Sequence, residues 1–147
     1  LQKCCSRKCA SHNKYKTSDA RKLYKRLCGF NFALNSYPNE FDFDLINKYG
    51  WYKAKNHGDN PNGVSRDHCY SIDEGFKNLV DPYIISHPAN CILIQQRKNA
   101  SKHTKSNISI EDLIEKIKYW NEKYGEYENK IDYIGISNLG IKFNITI

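Results

Sequence analysis

The sequence predicts an α+β fold, and three stretches carry that expectation. "NISIEDLIEKIKYWNEKYG" has the period of an amphipathic helix, while "GVSRDHCYSI" and "ANCILIQQ" read as two short strands with the helix-compatible "RKNASKH" directly after the second. The tail "KIDYIGISNLGIKFNITI" has strand-like runs broken by glycines and is expected to form a C-terminal hairpin. Taken in order, residues 1–30 form a basic segment with a helix, 31–60 a loop-rich connection, 61–124 a central core with its following helix, and 125–147 a strand-like tail.

In the first segment, "TSDARKLYKRLCGFNF" places Leu23, Leu27 and Phe30 near helical spacing behind a cap at Ser18 or Asp19. The connection "NSYPNEFDFDLINKYGWYKAKNHGDNPNG" alternates aromatics with turn formers and holds a short helix near "FDLINKYG". Trp51 and Tyr52 are expected to pack as core or platform rather than to stack on bases. In the long helix Ser109 and Asp112 form a capping-box-like pair, and Leu113, Ile114, Ile117 and Trp120 make one apolar stripe, read as core.

At 147 residues, with 39% apolar and 27% charged side chains and no low-complexity tract, the chain has the size and composition of one folded domain rather than a disordered segment. No apolar run is long enough to span a bilayer, and "LQKCCSRKCASHNKYK" lacks the apolar centre of a secretory signal, so an intracellular, cytoplasmic protein without a membrane partner is expected. The formal charge is +7, with an isoelectric point near 9.0. Lys3, Arg7, Lys8, Lys14, Lys16, Arg21, Lys22, Lys25 and Arg26 gather the excess at the N-terminus, which suits a polyanion. The plainer alternative is a solvated lysine face in a Lys-, Asn- and Ile-rich chain.

Among the six cysteines, Cys28, Cys69 and Cys91 sit between apolar neighbours and read as free buried thiols. Cys5 and Cys9 in "CSRKC" have the spacing of half a zinc knuckle; tetrahedral zinc needs four ligands, and either Cys4, His12 or Cys28 completes the set or the other pair belongs to an upstream segment.

The chemistry concentrates in residues 64–103. A carboxylate at Asp67, an imidazole at His68 and an amide oxygen at Asn99 can together supply a hard divalent cation and a general base, a set suited to phosphodiester hydrolysis. On a helix, Asn99 shares a face with Lys102 and His103. Neighbours on a regular strand point to opposite faces, so Asp67 and His68 can serve one site only where the strand ends or kinks. His12, His57 and His87 read as loop or packing histidines.

"SRDH", "ISHPANC" and "NASKH", in that order with nine residues from Asn90 to Asn99, resemble the HNH endonucleases of the ββα-metal (His-Me finger) superfamily, especially those of phages and mobile elements. The resemblance covers residues 61 to about 124, and "CCSRKCAS" is similar to the second half of a small zinc finger that often precedes such nucleases. It implies a small ββα-metal core in which His68 is the general base and Asp67 the first metal ligand. Asn90 would pin the loop between the strands and so orient His68, and Asn99 would be the second ligand where many relatives carry a histidine, with His103 as its substitute. It further implies a Mg²⁺- or Mn²⁺-dependent DNA endonuclease leaving 5'-phosphate and 3'-hydroxyl ends, in a bacterial cell or phage-infected host. Arg66, Lys98 and Lys102 are then candidate phosphate clamps, or else exposed solubilising charges. The competing readings are a DNA-binding module that does not cleave, a small structural zinc protein, and an RNA target. A palindromic double-strand cut needs a second active site, which either a homodimer joined through the tail or a second binding event would supply.

Overall fold

The computed structural model describes residues 18–53, 60–102 and 104–147, and these form an α+β fold: helices around a two-stranded antiparallel sheet. Residues 18–27 form α1, followed by a 3-10 turn at Leu34–Ser36 and by α2, Phe43–Tyr49. Then come β1 (Val64–His68), α3 (Ile72–Lys77), α4 (Pro82–Ser86), a second 3-10 turn at Pro88–Asn90, β2 (Cys91–Gln95) and α5 (Gln96–Lys102). The chain continues through α6 (Ile110–Tyr124) and α7 (Tyr133–Asn138).

Local chemistry starts most of these helices. Asp42, Ser71, Asp81, Ser109 and Asp132 each accept a hydrogen bond from a backbone N–H in the first turn of the helix that follows. A cap of this kind is worth about 1 kcal/mol. Ser109 takes the amide of Asp112, and Leu113, Ile117 and Trp120 of α6 are buried as one stripe with Ile114 partly buried beside them. Ser18 and Asp19 are themselves helical rather than a cap, and the most buried residues of α1 are Ala20 and Tyr24, followed by Cys28 just past its end, with Leu23 and Leu27 flanking them.

The main core joins α1 to α4, α6 and α7. Tyr24, Cys28, Ile84, Ile85, Leu113, Ile117 and Ile136 are closed to solvent there, and the Tyr24 hydroxyl donates to the Val80 carbonyl at 2.6 Å. The basic helix is therefore part of the core, with its charges on the outer side. A smaller cluster of Leu34, Val64 and Leu93 seats α2 against the sheet. Gly63 opens β1 where the chain crosses residues 50–52; a Cβ on it would lie 2.6 Å from the Tyr52 amide nitrogen, so this crossing requires glycine.

Two expectations are corrected. The tail forms no hairpin: Asp132 caps α7 through the Gly135 amide, Ile136 inserts into the main core, and Ile145 makes a single parallel bridge to Val80. A cap and one buried apolar residue outweigh the strand-like composition. Trp51 is not a core residue: its backbone bridges Val64, and the residue is 40% exposed.

Cys28, Cys69 and Cys91 are free, buried thiols, and His87 is a packing histidine, 1% exposed. Its Nδ1 accepts from the Ala89 amide at 3.0 Å, so Nε2 carries the proton that is donated to Asn121 Oδ1 at 2.9 Å. Burial pushes this imidazole down to about 4. Below its unfolded value of 6.5 the unfolded chain takes up a proton that the folded chain refuses, so stability present above that pH is lost as the pH falls toward 4. The loss amounts to about 3 kcal/mol. Urea denaturation between pH 7 and 4 is expected to show it, and His87→Gln to flatten the slope; His68, also held low by burial, contributes the remainder.

Candidate functional site

β1 and β2 pair in the register Val64–Gln95, Ser65–Ile94, Arg66–Leu93, Asp67–Ile92 and His68–Cys91. Strand alternation puts Ser65 and Asp67 on one face of the sheet and Val64, Arg66 and His68 on the other. The chain turns directly from β2 into α5 and lays that helix over the first face. Asn99 then stands by Ser65, its Nδ2 3.4 Å from the serine Oγ, and Lys102 stands by Asp67, its Nζ 2.6 Å from Oδ2. Helical spacing of three thus meets strand spacing of two.

The segment after α1 covers the other face. Phe30 stacks on the His68 ring at 4.0 Å and 15°, and the Arg66 guanidinium lies over Phe32 at 4.8 Å while donating to the Phe32 carbonyl at 2.9 Å. His68 Nε2 donates to the Cys28 carbonyl at 2.7 Å, which leaves the lone pair on Nδ1. Burial holds the imidazole below its ordinary value despite the opposing pull of the Cys28 carbonyl and Asp67. The neutral ring is the form that accepts a proton.

Asp67 and His68, the last two residues of β1, nevertheless line one cavity. Asn90, fully buried, holds that end. Its Oδ1 accepts from the Tyr70 amide at 2.7 Å, its Nδ2 donates to the Tyr70 and Ile85 carbonyls at 3.1 and 2.9 Å, and its own carbonyl accepts from the Cys69 amide at 2.8 Å. All of the carboxamide's hydrogen bonds are therefore made inside the turn between the strands.

The cavity is about 450 Å³; its lining includes Arg66, Asp67, His68, Asn99 and Lys102, with Arg21 and Lys25 from α1 and Asp73, Ile72 and Phe76 from α3. Arg21 pairs with Asp73 of α3, which also faces Lys77. Lys98 is exposed on α5 and does not line this cavity, and neither does the fully buried Asn90. Cys4, Cys5, Cys9, His12, His57 and His103 lie outside the described residues. Cys28 is buried in the main core, where burial pushes its thiol up and away from the thiolate that zinc requires.

Nothing in the sequence pointed to Phe30 and the Cys28 carbonyl as neighbours of His68, since they are far apart along the chain. The place of Arg21 and Lys25 had a signal, their i,i+4 spacing on a basic helix.

Asp67 and Asn99 offer a carboxylate and an amide oxygen, hard donors that fit Mg²⁺ or Mn²⁺, ions commonly held by one or two carboxylates plus substrate phosphate and water. Among the described residues no group of three or more His, Cys, Asp and Glu side chains converges on a metal position. Asp67 and the His68 carbonyl already converge on one cation, the Lys102 ammonium, at 2.6 and 2.5 Å.

Asn90→Ala would leave the Tyr70 amide and two carbonyls buried without their partner. A loss of about 2–4 kcal/mol is expected, read from the urea midpoint. A variant within about 0.5 kcal/mol of the parent, the range of a neutral surface change, would show that the turn is held by other contacts. No family model matches this chain, and no curated protein or solved structure matches it either.

Proposed function

We propose that the chain is a metal-dependent DNA endonuclease of the HNH type, a hydrolase of phosphodiester bonds. One observation carries this reading: Asp67, His68 and Asn99, from a strand end and the helix after its partner strand, line one cavity into which Arg21, Lys25, Arg66 and Lys102 also reach. The order β1, β2, α5 is that of the strand–strand–helix unit that the resemblance to these nucleases implies.

In this reading His68 Nδ1 takes the proton of the attacking water. Nε2, bonded to the Cys28 carbonyl, and Phe30, stacked on the ring, fix the orientation in which it does so. Asn90 acts through the turn, as a positioning residue. Asp67 and Asn99 would hold Mg²⁺ or Mn²⁺, which when bound supplies charge stabilisation for the phosphate and the leaving oxygen. Arg66 keeps guanidinium donors beyond the one spent on Phe32, and a bidentate grip on phosphate suits its fork. Lys25, exposed on α1 and lining the same cavity, extends the basic wall toward the neighbouring phosphates.

The Lys102–Asp67 ion pair favours a second reading, a DNA-binding module that no longer cleaves, because an ammonium there neutralises the carboxylate. Plasmid nicking separates the two. The protein is expected to cut with Mg²⁺ or Mn²⁺ and to stop with EDTA. His68→Ala should bind DNA with near-unchanged affinity and cut at least about a hundredfold more slowly, the lower end of what a positioned base contributes. Asp67→Ala should also lose cleavage but recover part of it at raised Mn²⁺. Binding by both proteins with cleavage by neither would favour the module.

The outer charges of α1 are tested separately, because Tyr24 makes the helix too integral to delete. Replacing Lys22, Lys25 and Arg26 with Gln should flatten the salt dependence of DNA binding by about 0.9 in log–log slope for each phosphate no longer neutralised. An unchanged slope would mean that these side chains are only solvated.

A further inference from the structure

Lys102 is held in a way that a surface phosphate clamp is not. Its side chain is 11% exposed and that of Asp67 14%, so the pair is shielded from water and from salt. The ammonium donates to Asp67 Oδ2 at 2.6 Å and to the His68 main-chain carbonyl at 2.5 Å. Both oxygens are hard donors of the kind that Mg²⁺ and Mn²⁺ take. A divalent ion on Asp67 and an ammonium within hydrogen-bonding distance of the same carboxylate repel strongly at low dielectric, so the two exclude each other. Lysine is suited to such exchange, being a point charge on a flexible four-carbon stem. It sits at the last residue of α5, on the wall of the cavity.

We propose that Lys102 is an internal counter-ion at the metal position: its ammonium holds the oxygens of Asp67 and His68 in the free protein, and a divalent cation loads only by displacing it into the cavity. There the released ammonium meets the phosphate that the loaded site receives. The sequence expectation of a phosphate clamp then describes the loaded state, and the ion pair with Asp67 the free one. This inference rests on the metal-dependent reading of the site and adds to it a third oxygen donor, the His68 carbonyl, and a cost to loading.

The test uses Mn²⁺ alone, without DNA, on the 147-residue chain. Lys102→Met and Lys102→Gln, which remove the charge and keep most of the stem, should bind Mn²⁺ at least tenfold more tightly than the parent by calorimetry. Lys102→Arg, which keeps the charge, should not. Equal or weaker binding in both neutral variants, or no binding by any of the proteins, would overturn the proposal. A second measurement needs no variant: reductive methylation of the parent protein followed by mass spectrometry should find Lys102 protected without Mn²⁺ and labelled faster once Mn²⁺ saturates. Unchanged or slower labelling would count against displacement. Neither measurement reads DNA cleavage, so a failed nuclease assay and a failed exchange are told apart.

Discussion

Between β1 and β2 the chain leaves the sheet, runs through α3 and α4, and returns at Asn90, whose buried carboxamide ties both ends of that excursion together. Closing a loop of this length costs about 3 kcal/mol of chain entropy. The side-chain hydrogen bonds of Asn90, at about 1 kcal/mol each, are of the size needed to hold it shut. Because the bonds fix the main chain of Tyr70 just beyond His68, they also fix where β1 stops. That stopping point lies at the cavity that Asp67 and His68 share.

β1 is then gripped from both sides by segments with different periods. α5 presents Asn99 and Lys102 to Ser65 and Asp67, while Phe30 and Phe32 lie against His68 and Arg66. The first contact is polar and the second largely aromatic. The aromatic side partly buries the imidazole, which favours its neutral form, and the polar side gathers oxygens around a cation. One short strand thereby has an aromatic-covered face and an ionic one, and the chemistry proposed for the site uses both.

Charge is distributed to match. The cavity joins Arg21, Lys25, Arg66 and Lys102 around Asp67 and Asp73, so the acids are met by local cations and the remaining basic charge faces outward. The ion pair at Lys102 keeps the Asp67 carboxylate from standing unpartnered in the free protein.

What the sequence determined by itself was local. The period and capping serine of α6, the short helix α2, the strand–strand–helix order around residues 64–102 and the three buried thiols are all legible because each depends on neighbours within a few residues. The grouping of Asp67, His68 and Asn99 was legible as a motif, and strand geometry alone required β1 to end or kink at this pair if both were to serve one site. Only the tertiary structure decided that Phe30 and the Cys28 carbonyl orient the imidazole, that Lys102 turns inward to Asp67 instead of outward, that Lys98 stays off the cavity, and that the tail coils into α7. Those outcomes depend on partners 34 to 40 residues away, as for Lys102 and Cys28, or on which apolar surface the core leaves open, as for Ile136. A local pattern fixes how a segment folds, but the energy that orients its side chains comes from surfaces that meet only when the whole chain has folded.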